Sequence, residues 1–452
     1  MLGSVTHLAF TLVLTAAAEP LVATDRILPP MSVRRSPAIL PDNQLLRYEG
    51  RWTKESKVAS ADWPCSTLKF GINATTPGDI KVFWAARLTR LSFTVLAVDP
   101  KQVLINDVVD STSSIDNGLE FDSEQMENDE HVLPSIARVG VLHGTMRSTI
   151  KIDRPGSFVV AVRKLTQAAP YGPGIGKVLG SSTLQFKGVD LSSGLEITPP
   201  PTKARRITFI GASDTAGWCV DGSPSTPKLD YTLKGFMFTN CDGSYAAELG
   251  RRFEADISVQ AFAGAGVTQN ANAAQQWQLG PRPMPELYNR TRQMVKGSYW
   301  NEPPPQNLVF VSLGGNDYNH QNGNVPSNIT FMRGYASLLD RLFSGEGLGN
   351  GTYDAKIISI CGMGSPEESK YDPDNTRCKP CPHVQQAVES YRDMHPDRRV
   401  DFILVPCDGS VVNGTAAGDI GCAGHKNLQG QQKVADFLTP KVASIMGWNM
   451  VA

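Results

Sequence analysis

The sequence predicts two folded domains, an all-β sandwich followed by an α/β domain built on a parallel sheet. Short extended runs separated by Gly, Pro, Asn and Asp turns fill the first part of the chain, a pattern typical of an antiparallel sandwich, of which a jelly roll is one form. A proline-rich stretch, Thr198-Pro-Pro-Pro-Thr-Lys203, then breaks regular structure. Beyond it, extended runs alternate with helical patterns, which indicates parallel strands with helices on both faces.

The predicted elements follow from these patterns. Strands of the sandwich are predicted at 67–72, 80–84, 91–95, 101–105, 149–152 and 157–161. Strands of the α/β domain are predicted at 207–210, 257–262, 308–313, 356–360 and 400–405, and its helices at 244–253, 328–343, 383–394 and 429–446. We therefore expect a signal peptide at 1–18, a poorly ordered lead-in at 19–45, the sandwich at 46–197, the linker at 198–204 and the α/β domain at 205–452.

The composition is that of a nearly neutral globular chain. Of 452 residues, 41% are hydrophobic and 19% charged, and 43 basic against 44 acidic residues give a formal net charge of −1. Because neither sign forms a run, nothing favours nucleic acid or an anionic lipid surface as a partner, and a neutral ligand fits better.

The N-terminus and the cysteine count favour export. The apolar run 8–18 ends in Ala16-Ala17-Ala18, is too short to span a bilayer and resembles a signal peptide with a small-residue cleavage site. No Lys or Arg precedes it, so an apolar N-terminal tail is the alternative. The chain has eight cysteines and five Asn-x-Ser/Thr sites, which begin at Asn73, Asn289, Asn328, Asn350 and Asn413. Both features are typical of a secreted glycoprotein. We expect no membrane partner once the signal peptide is cleaved.

The cysteines are expected to form structural disulfides. Cys378-Lys-Pro-Cys381 has neither a second CxxC nor a close His cluster to complete a zinc site, and it lacks the context of a redox motif. We expect Cys219 to pair with Cys241 and Cys407 with Cys422, because both bonds would staple loops beside the candidate site, although spacing alone does not fix connectivity.

Ser213 is the candidate nucleophile. The extended run 207–210 breaks at Gly211, and a tight turn after a strand is where a reactive hydroxyl becomes exposed. In α/β folds, ligands bind beyond the carboxyl ends of the strands, which is where this turn lies. The alternative is that Ser213 only caps the segment that follows, since Ser is common at helix starts.

Two further loops follow predicted strands at the same edge. Gly314-Gly-Asn316-Asp317 offers a neutral amide donor that can stabilise an oxyanion, or else forms an Asx turn. Gly264, in the loop Ala263-Gly-Ala-Gly-Val267, offers backbone N–H groups, or else is a plain turn glycine.

His425 is the candidate base. It lies in the loop 419–427, just ahead of the last predicted helix, where an accessible imidazole titrates near neutrality. A lone surface histidine often has no special role. His320, close to Asn316, is the rival base.

These segments together resemble a known family. Gly211-Ala-Ser-Asp-Thr-Ala-Gly-Trp218, Gly264-Ala-Gly266, Gly314-Gly-Asn-Asp317 and His425 resemble, in order, the four blocks of the SGNH (GDSL-like) hydrolases. Upstream, Tyr48-Glu-Gly-Arg-Trp52 and Asp62-Trp-Pro64 are similar to carbohydrate esterase family 2, acetyl esterases with an N-terminal β-sandwich, as is the segment 419–432. The resemblance covers about 400 residues. It implies a three-layer, flavodoxin-like SGNH hydrolase domain with a parallel sheet, preceded by a jelly-roll-like sandwich.

The resemblance also implies roles for individual residues. Ser213 corresponds to the nucleophile and His425 to the base, while the Ser213 N–H, the Gly264 N–H and the Asn316 side chain correspond to the oxyanion hole. Independently of the resemblance, the aromatic rings of Trp218 and Trp277 either stack on a sugar ring or belong to the core.

Two positions depart from the family pattern. Ala212 replaces the usual Asp before the nucleophile, and Cys422 and Ala423 occupy the positions where the triad acid normally precedes the histidine. Asp419, six residues before His425, reaches the imidazole only if the loop folds back. We therefore expect a Ser–His dyad oriented by Asp419 or by a backbone carbonyl.

The sequence thus predicts a secreted serine esterase. It removes acyl groups, acetyl being the expected one, from a carbohydrate or polysaccharide through an acyl-serine intermediate, with no metal or other cofactor. The alternative is a secreted glycan-binding protein with a catalytically degenerate hydrolase domain. The sandwich either binds polysaccharide or walls the cleft.

Overall fold

Eleven strands in two antiparallel sheets make up the first part of the described chain. The computed structural model describes residues 37–86, 89–99, 102–110, 145–168, 182–228, 235–271, 282–293, 295–300, 305–319, 324–345, 355–364, 376–414 and 418–450. The strands are β1 (Arg47–Glu49), β2 (Thr53–Glu55), β3 (Val58–Ala61), β4 (Thr67–Ala74), β5 (Gly78–Ala85), β6 (Arg90–Ala97), β7 (Gln102–Asp110), β8 (Met146–Ile152), β9 (Gly156–Lys164), β10 (Leu184–Leu191) and β11 (Leu195–Thr198).

The two sheets pack face to face around one core. One sheet has the order β1-β4-β9-β6-β7 with β11 beside β4, and the other has the order β2-β3-β10-β5-β8. Along β5, Ile80, Val82 and Trp84 are buried while the residues between them are partly exposed, which is the period-two pattern of a half-buried strand. The core draws such residues from both sheets. Each of the six predicted runs overlaps a strand, whereas β1, β2, β3, β10 and β11 were not predicted.

The described part of the lead-in is tied to the sandwich. Ile39 exchanges two main-chain hydrogen bonds with Val189, and the Tyr48 hydroxyl donates to the Pro41 carbonyl at 2.8 Å. Residues 37–45, which we expected to be poorly ordered, are therefore held in place. The predicted signal peptide lies outside the described residues.

A five-stranded parallel sheet organises the second part. Its strands are β12 (Arg205–Gly211), β13 (Ala255–Ala261), β14 (Leu308–Ser312), β15 (Lys356–Gly362) and β16 (Val400–Val405). Their order is β13-β12-β14-β15-β16, and all neighbours pair in parallel. This is the flavodoxin-like order, in which the chain reverses direction across the sheet next to the first strand. Loops after β12, β13 and β14 therefore meet at one edge, where such folds bind ligands.

Helices cover both faces of this sheet. They are α1 (Ser213–Ala216), α2 (Gly235–Phe238), α3 (Tyr245–Arg252), α4 (Asn328–Phe343), α5 (Cys381–Met394) and α6 (Leu428–Met446). Apolar residues of α4 and α5 pack with those of the sheet in one cluster, and those of α3 and α6 pack in another. The predicted three-layer arrangement is confirmed, and the four predicted helices correspond to α3, α4, α5 and α6.

Four disulfides stabilise the fold, and their pairing corrects our expectation. The bonds are Cys65–Cys241, Cys219–Cys422, Cys361–Cys381 and Cys378–Cys407. The expected pairs Cys219–Cys241 and Cys407–Cys422 are wrong, because Cys241 lies against the sandwich and Cys422 lies against the turn after Ser213. The two cysteines of the CxxC motif enter different bonds. Within the described ranges, no helix is long and apolar enough to cross a membrane.

Candidate active site

Ser213 lies directly beyond the carboxyl end of β12. Gly211, the last residue of that strand, has no room for a side chain, since a Cβ there would meet Thr215 Oγ1 at 2.1 Å. Ser213 opens the four-residue helix α1, which ends at Gly217 with φ 70°. The capping alternative is wrong, because the helix cap is Ala212 and no side chain makes a cap hydrogen bond. The Ser213 hydroxyl has another partner.

That partner is His425. Its Nε2 lies 2.8 Å from Ser213 Oγ, although 212 residues separate the two in the chain. Its Nδ1 lies 3.1 Å from the carbonyl oxygen of Ala423. A carbonyl only accepts, so Nδ1 carries the proton and Nε2 is the acceptor that faces the serine. The structure therefore brings together the two residues that we predicted as nucleophile and base.

A disulfide fixes the two loops that carry this pair. Cys219 follows α1, and Cys422 begins the 3₁₀ turn Cys422–Gly424 just before His425. Gly421 packs so closely on the Cys219 carbonyl that a Cβ would lie 2.2 Å from it. The loop of Ser213 and the loop of His425 are thus joined covalently and packed backbone against backbone.

Asp419 does not contact the imidazole. Its buried carboxylate accepts the N–H groups of Asn413 at 2.8 Å and Gly414 at 2.9 Å, and the Lys433 ammonium at 2.9 Å. None of its hydrogen bonds among the described residues goes to His425. Of the two orienting groups that we considered, only the backbone carbonyl, that of Ala423, contacts Nδ1.

A charged cluster that sequence reasoning missed lies beside the dyad. The Asp214 carboxylate is 3.5 Å from Arg377 Nε and 3.6 Å from Lys426 Nζ, and Arg377 also donates to the Gly424 carbonyl at 2.8 Å. These two cations hold the pKa of Asp214 well below its usual range, against the effect of burial. Asp214 and Lys426 directly follow Ser213 and His425 in the sequence, and this adjacency could have identified them. Arg377 lies outside the four family blocks, so no comparable signal marked it.

The cluster and burial make the imidazole a weak base. Burial lowers the pKa of His425 to about 4, and the positive charges of Arg377 and Lys426 act in the same direction. The negative charge of Asp214 and the hydrogen bond to Ala423 act in the opposite direction without cancelling the decrease. The imidazole is therefore neutral, as a proton acceptor must be, at any pH above this value.

The predicted oxyanion-hole residues lie on two interlocked loops at the same sheet edge. Gly264, with φ +83°, follows β13, and Asn316 lies in the 3₁₀ turn after β14. The Asn316 Nδ2 donates to the Ala265 carbonyl at 2.9 Å. The buried carboxylate of Asp317 accepts the N–H groups of Val267 and Thr268 at 2.8 and 2.7 Å. The second loop therefore holds the first in one conformation.

Two other sequence candidates have different outcomes. The Trp218 ring packs edge-on against the His425 imidazole, with ring centroids 4.6 Å apart and an interplanar angle of 82°. Trp277 and the rival base His320 lie outside the described residues. No group of His, Cys, Asp or Glu in the described chain has the arrangement of a metal site.

A cavity of about 180 Å³ lies elsewhere, at the opposite ends of β12 and β13. Its lining includes Arg47 of β1 together with Arg206 and Asp256, the second residues of β12 and β13. A strand rises about 3.3 Å per residue, so the length of β12 separates this cavity from Ser213. The Ser213–His425 pair lies at the other edge.

Two curated relatives match part of the chain, and no protein-family model matches it. An acetylxylan esterase / glucomannan deacetylase of Cellvibrio japonicus is 27% identical over 164 residues, which are 36% of this chain and 41% of that protein. The cellulase/esterase CelE of Acetivibrio thermocellus is 29% identical over 164 residues, 35% of this chain and 18% of that protein. The chain thus matches less than half the length of either relative.

Solved structures match almost the whole chain. A family two carbohydrate esterase from Clostridium thermocellum, in complex with cellohexaose, has a TM-score of 0.61 and 19% identity, covering 89% of this chain and 99% of its own. One from Cellvibrio japonicus has a TM-score of 0.63 and 13% identity, covering 91% and 98%. An acetyl xylan esterase from Butyrivibrio proteoclasticus has a TM-score of 0.63 and 14% identity, covering 90% and 97%. The predicted resemblance is confirmed at the level of the fold, and the chain has the fold of carbohydrate esterase family 2 enzymes.

Proposed function

We propose that the protein is a secreted serine esterase that hydrolyses O-acyl groups, acetyl above all, on carbohydrates. One observation carries the catalytic part of this proposal. The 2.8 Å contact between Ser213 Oγ and His425 Nε2 pairs a hydroxyl with a base whose other nitrogen is already held by a carbonyl. A serine hydroxyl is a weak nucleophile until such a base lies within hydrogen-bond reach.

The reaction takes place in two steps. Ser213 Oγ attacks the acyl carbon while His425 Nε2 takes the hydroxyl proton, and collapse of the tetrahedral intermediate expels the sugar oxygen, which receives that proton. Water then attacks the acyl-serine with His425 as base. Collapse of the second intermediate releases the carboxylic acid and returns the proton to Ser213.

Both steps develop negative charge on the former carbonyl oxygen. We assign its stabilisation to the Ser213 N–H, the Gly264 N–H and the Asn316 side chain. The first of these belongs to the first turn of α1, where backbone N–H groups have no partner within the helix. Preorganised donors of this kind are usually the largest single contribution to such catalysis.

The relatives support the substrate class. One curated relative is named for deacetylation of xylan and glucomannan and the other for esterase activity, and a structural neighbour was solved with cellohexaose. We propose that an acetylated polysaccharide is the substrate here as well, with Trp218 at the edge of its site. Trp277 remains a prediction.

Export and the domain division are part of the proposal. Four disulfides fit an oxidising compartment. Asn73, Asn328 and Asn413 are exposed and open to glycosylation, whereas Asn289 is only 9% exposed. We assign the sandwich to a jelly roll spanning 46–197, since its successive strands are distributed over two four-stranded paths, β3-β10-β5-β8 and β4-β9-β6-β7. A linker at 198–204 and the hydrolase domain at 205–452 follow.

Acetate release tests the proposal. The wild type and Ser213→Ala are compared on p-nitrophenyl acetate and on acetylated xylan, mannan and glucan fragments, with both variants shown to have the same unfolding midpoint. We expect turnover by the wild type alone. Equal release by the two proteins would refute the catalytic proposal and favour the glycan-binding alternative, which is then measured by affinity for the deacetylated fragments.

A further inference from the structure

A side chain from the sandwich, that of Gln167, reaches the loop of the proposed oxyanion hole. Gln167, which follows β9 and is 7% exposed, accepts the main-chain N–H of Ala263 on its Oε1 at 2.8 Å. Ala263 immediately precedes Gly264. No sequence motif marks Gln167, because its partner lies 96 residues further along the chain.

The Gly264 N–H belongs to the peptide between Ala263 and Gly264. The hydrogen bond from Ala263 to Gln167 fixes the peptide just before that one. The preceding peptide is held by Gln167 through the Ala263 N–H, and the following one is held by the Gly264 carbonyl, which accepts the Ala271 N–H at 2.9 Å. Because both neighbouring peptides are held, the peptide between them keeps one orientation. Gly264 itself has φ +83°, a backbone conformation in which only glycine is unstrained.

Gln167 is itself firmly anchored. The buried amino group of Lys164 donates to Thr166 Oγ1 at 3.0 Å and to the Gln167 carbonyl at 3.2 Å. The Leu165 carbonyl accepts the Cys241 N–H at 2.9 Å, beside the Cys65–Cys241 disulfide. The segment that carries Gln167 is thus tied both to the sandwich and to the α/β part.

The core packing continues across the same boundary. Trp63 and Ala168, both from the sandwich side, are buried in the cluster that contains Ile210 of β12 and Phe262 directly after β13. The sandwich is therefore a rigid support at this point, since well-packed interiors transmit small displacements instead of absorbing them.

We propose that Gln167 is a positioning residue that sets the direction of the Gly264 N–H toward the oxyanion, so that the sandwich contributes to catalysis without touching the substrate. This inference rests on the proposed function. The sandwich then has a task in the reaction that is separate from binding polysaccharide.

The test separates turnover from binding. Gln167→Met keeps the length of the side chain and removes the acceptor, and Gln167→Asn keeps an amide that is too short to reach Ala263. Because a donor displaced by about 1 Å costs up to about a hundredfold, and a lost donor more, we expect both variants to lower kcat by about tenfold to a hundredfold. KM should change by less than about twofold, because the ground state does not use the hole.

Arg47→Gln is the matched control. Arg47 ties the sandwich to Asp256 at the other end of β13, so its loss weakens a contact between the same two parts far from the dyad. We expect unchanged kcat in this variant, whatever its unfolding midpoint. Hydrogen exchange at Ala263 should be faster in Gln167→Met and unchanged in Arg47→Gln.

The outcomes distinguish the positioning role of Gln167 from the esterase proposal. Wild-type kcat in Gln167→Met, or equal losses in Gln167→Met and Arg47→Gln, would refute the positioning role and leave the esterase proposal standing. A wild type no more active than Ser213→Ala would refute the esterase proposal and the positioning role with it.

Discussion

The Nδ1 atom of His425 and the carbonyl oxygen of Ala423 lie 3.1 Å apart, at the place where a triad would have a carboxylate. Ala423 has φ 52° and ψ 31°, a left-handed conformation that costs a residue with a Cβ roughly 1–2 kcal/mol. The acceptor is neutral, so it orients the imidazole and selects its tautomer without adding a negative charge that would stabilise the imidazolium. The proposed base, His425, is therefore oriented by the backbone.

Asp419→Asn should leave turnover almost unchanged. Its carboxylate binds Asn413, Gly414 and Lys433 instead of the imidazole, so we expect kcat to fall by less than about fivefold, whereas loss of a true triad acid costs about 10⁴. The free energy of unfolding should fall by about 1–3 kcal/mol, because the substitution removes the buried charge that Lys433 binds. Steady-state kinetics and thermal unfolding check the two effects, and a loss approaching 10⁴ in kcat would restore Asp419 to the catalytic group.

The acidic limb of kcat/KM should lie near pH 4. The proposed mechanism requires neutral His425. Burial lowers the pKa of that imidazole to about 4, so activity should rise through this pH and be level well before pH 6.5, the ordinary value for histidine. A pH–rate profile on p-nitrophenyl acetate measures the limb. A midpoint between pH 6 and 7 would contradict the electrostatic description of the site.

Arg377→Gln should move that limb to higher pH. The guanidinium lies beside Asp214 and disfavours the imidazolium. Removing its charge should raise the pKa of His425, so that, as the pH falls, the proposed esterase activity is lost at a higher pH than in the wild type. Arg398→Gln is the control, since Arg398 pairs with Asp340 on the surface and should leave the limb in place. An unshifted or lowered midpoint in Arg377→Gln would disprove the assigned role.

The fold was predictable because its signals are local. The period-two runs of the sandwich and the strand–helix alternation after residue 205 specify the layers, and Ser213, Asn316 and His425 follow strands or precede a helix in recognisable motifs. What sequence could not give depends on the path of loops. Asp419 is near His425 in the chain, yet the bridge between Ile420 and Lys426 turns its carboxylate toward residues 413 and 414.

The contact of Gln167 and the pairing of the disulfides could not be predicted from the sequence for the same reason. Ala263 and its acceptor Gln167 meet only because the segment after β9 packs against the loop after β13. Cys219 pairs with Cys422 across 203 residues because both flank the dyad, while the nearer Cys241 is taken by Cys65. Such pairings depend on three-dimensional approach, which no spacing encodes.

Asn316→Ala should lower kcat by about 10²–10³ with little change in KM, the cost of one oxyanion donor. Because the Asn316 amide also holds the Ala265 carbonyl, Thr268→Val is the matched control. It removes a 2.7 Å hydrogen bond to Asp317 in the same pair of loops without removing a proposed donor, so its kcat should stay close to that of the wild type. Unchanged kinetics in Asn316→Ala would remove this residue from the site.

The double variant Cys219→Ala/Cys422→Ala should lose turnover as well as stability. This disulfide joins the segment after Ser213 to the turn before His425, so its loss lets the 2.8 Å contact of the dyad open. We expect kcat to fall about tenfold or more, since small misplacements of reacting groups are costly. Cys361→Ala/Cys381→Ala removes a bond between β15 and α5. This control should lower the free energy of unfolding by about 2–4 kcal/mol and largely retain kcat. Equal kcat in the two double variants, measured well below their unfolding midpoints, would show that the Cys219–Cys422 bond stabilises the fold without aligning the dyad.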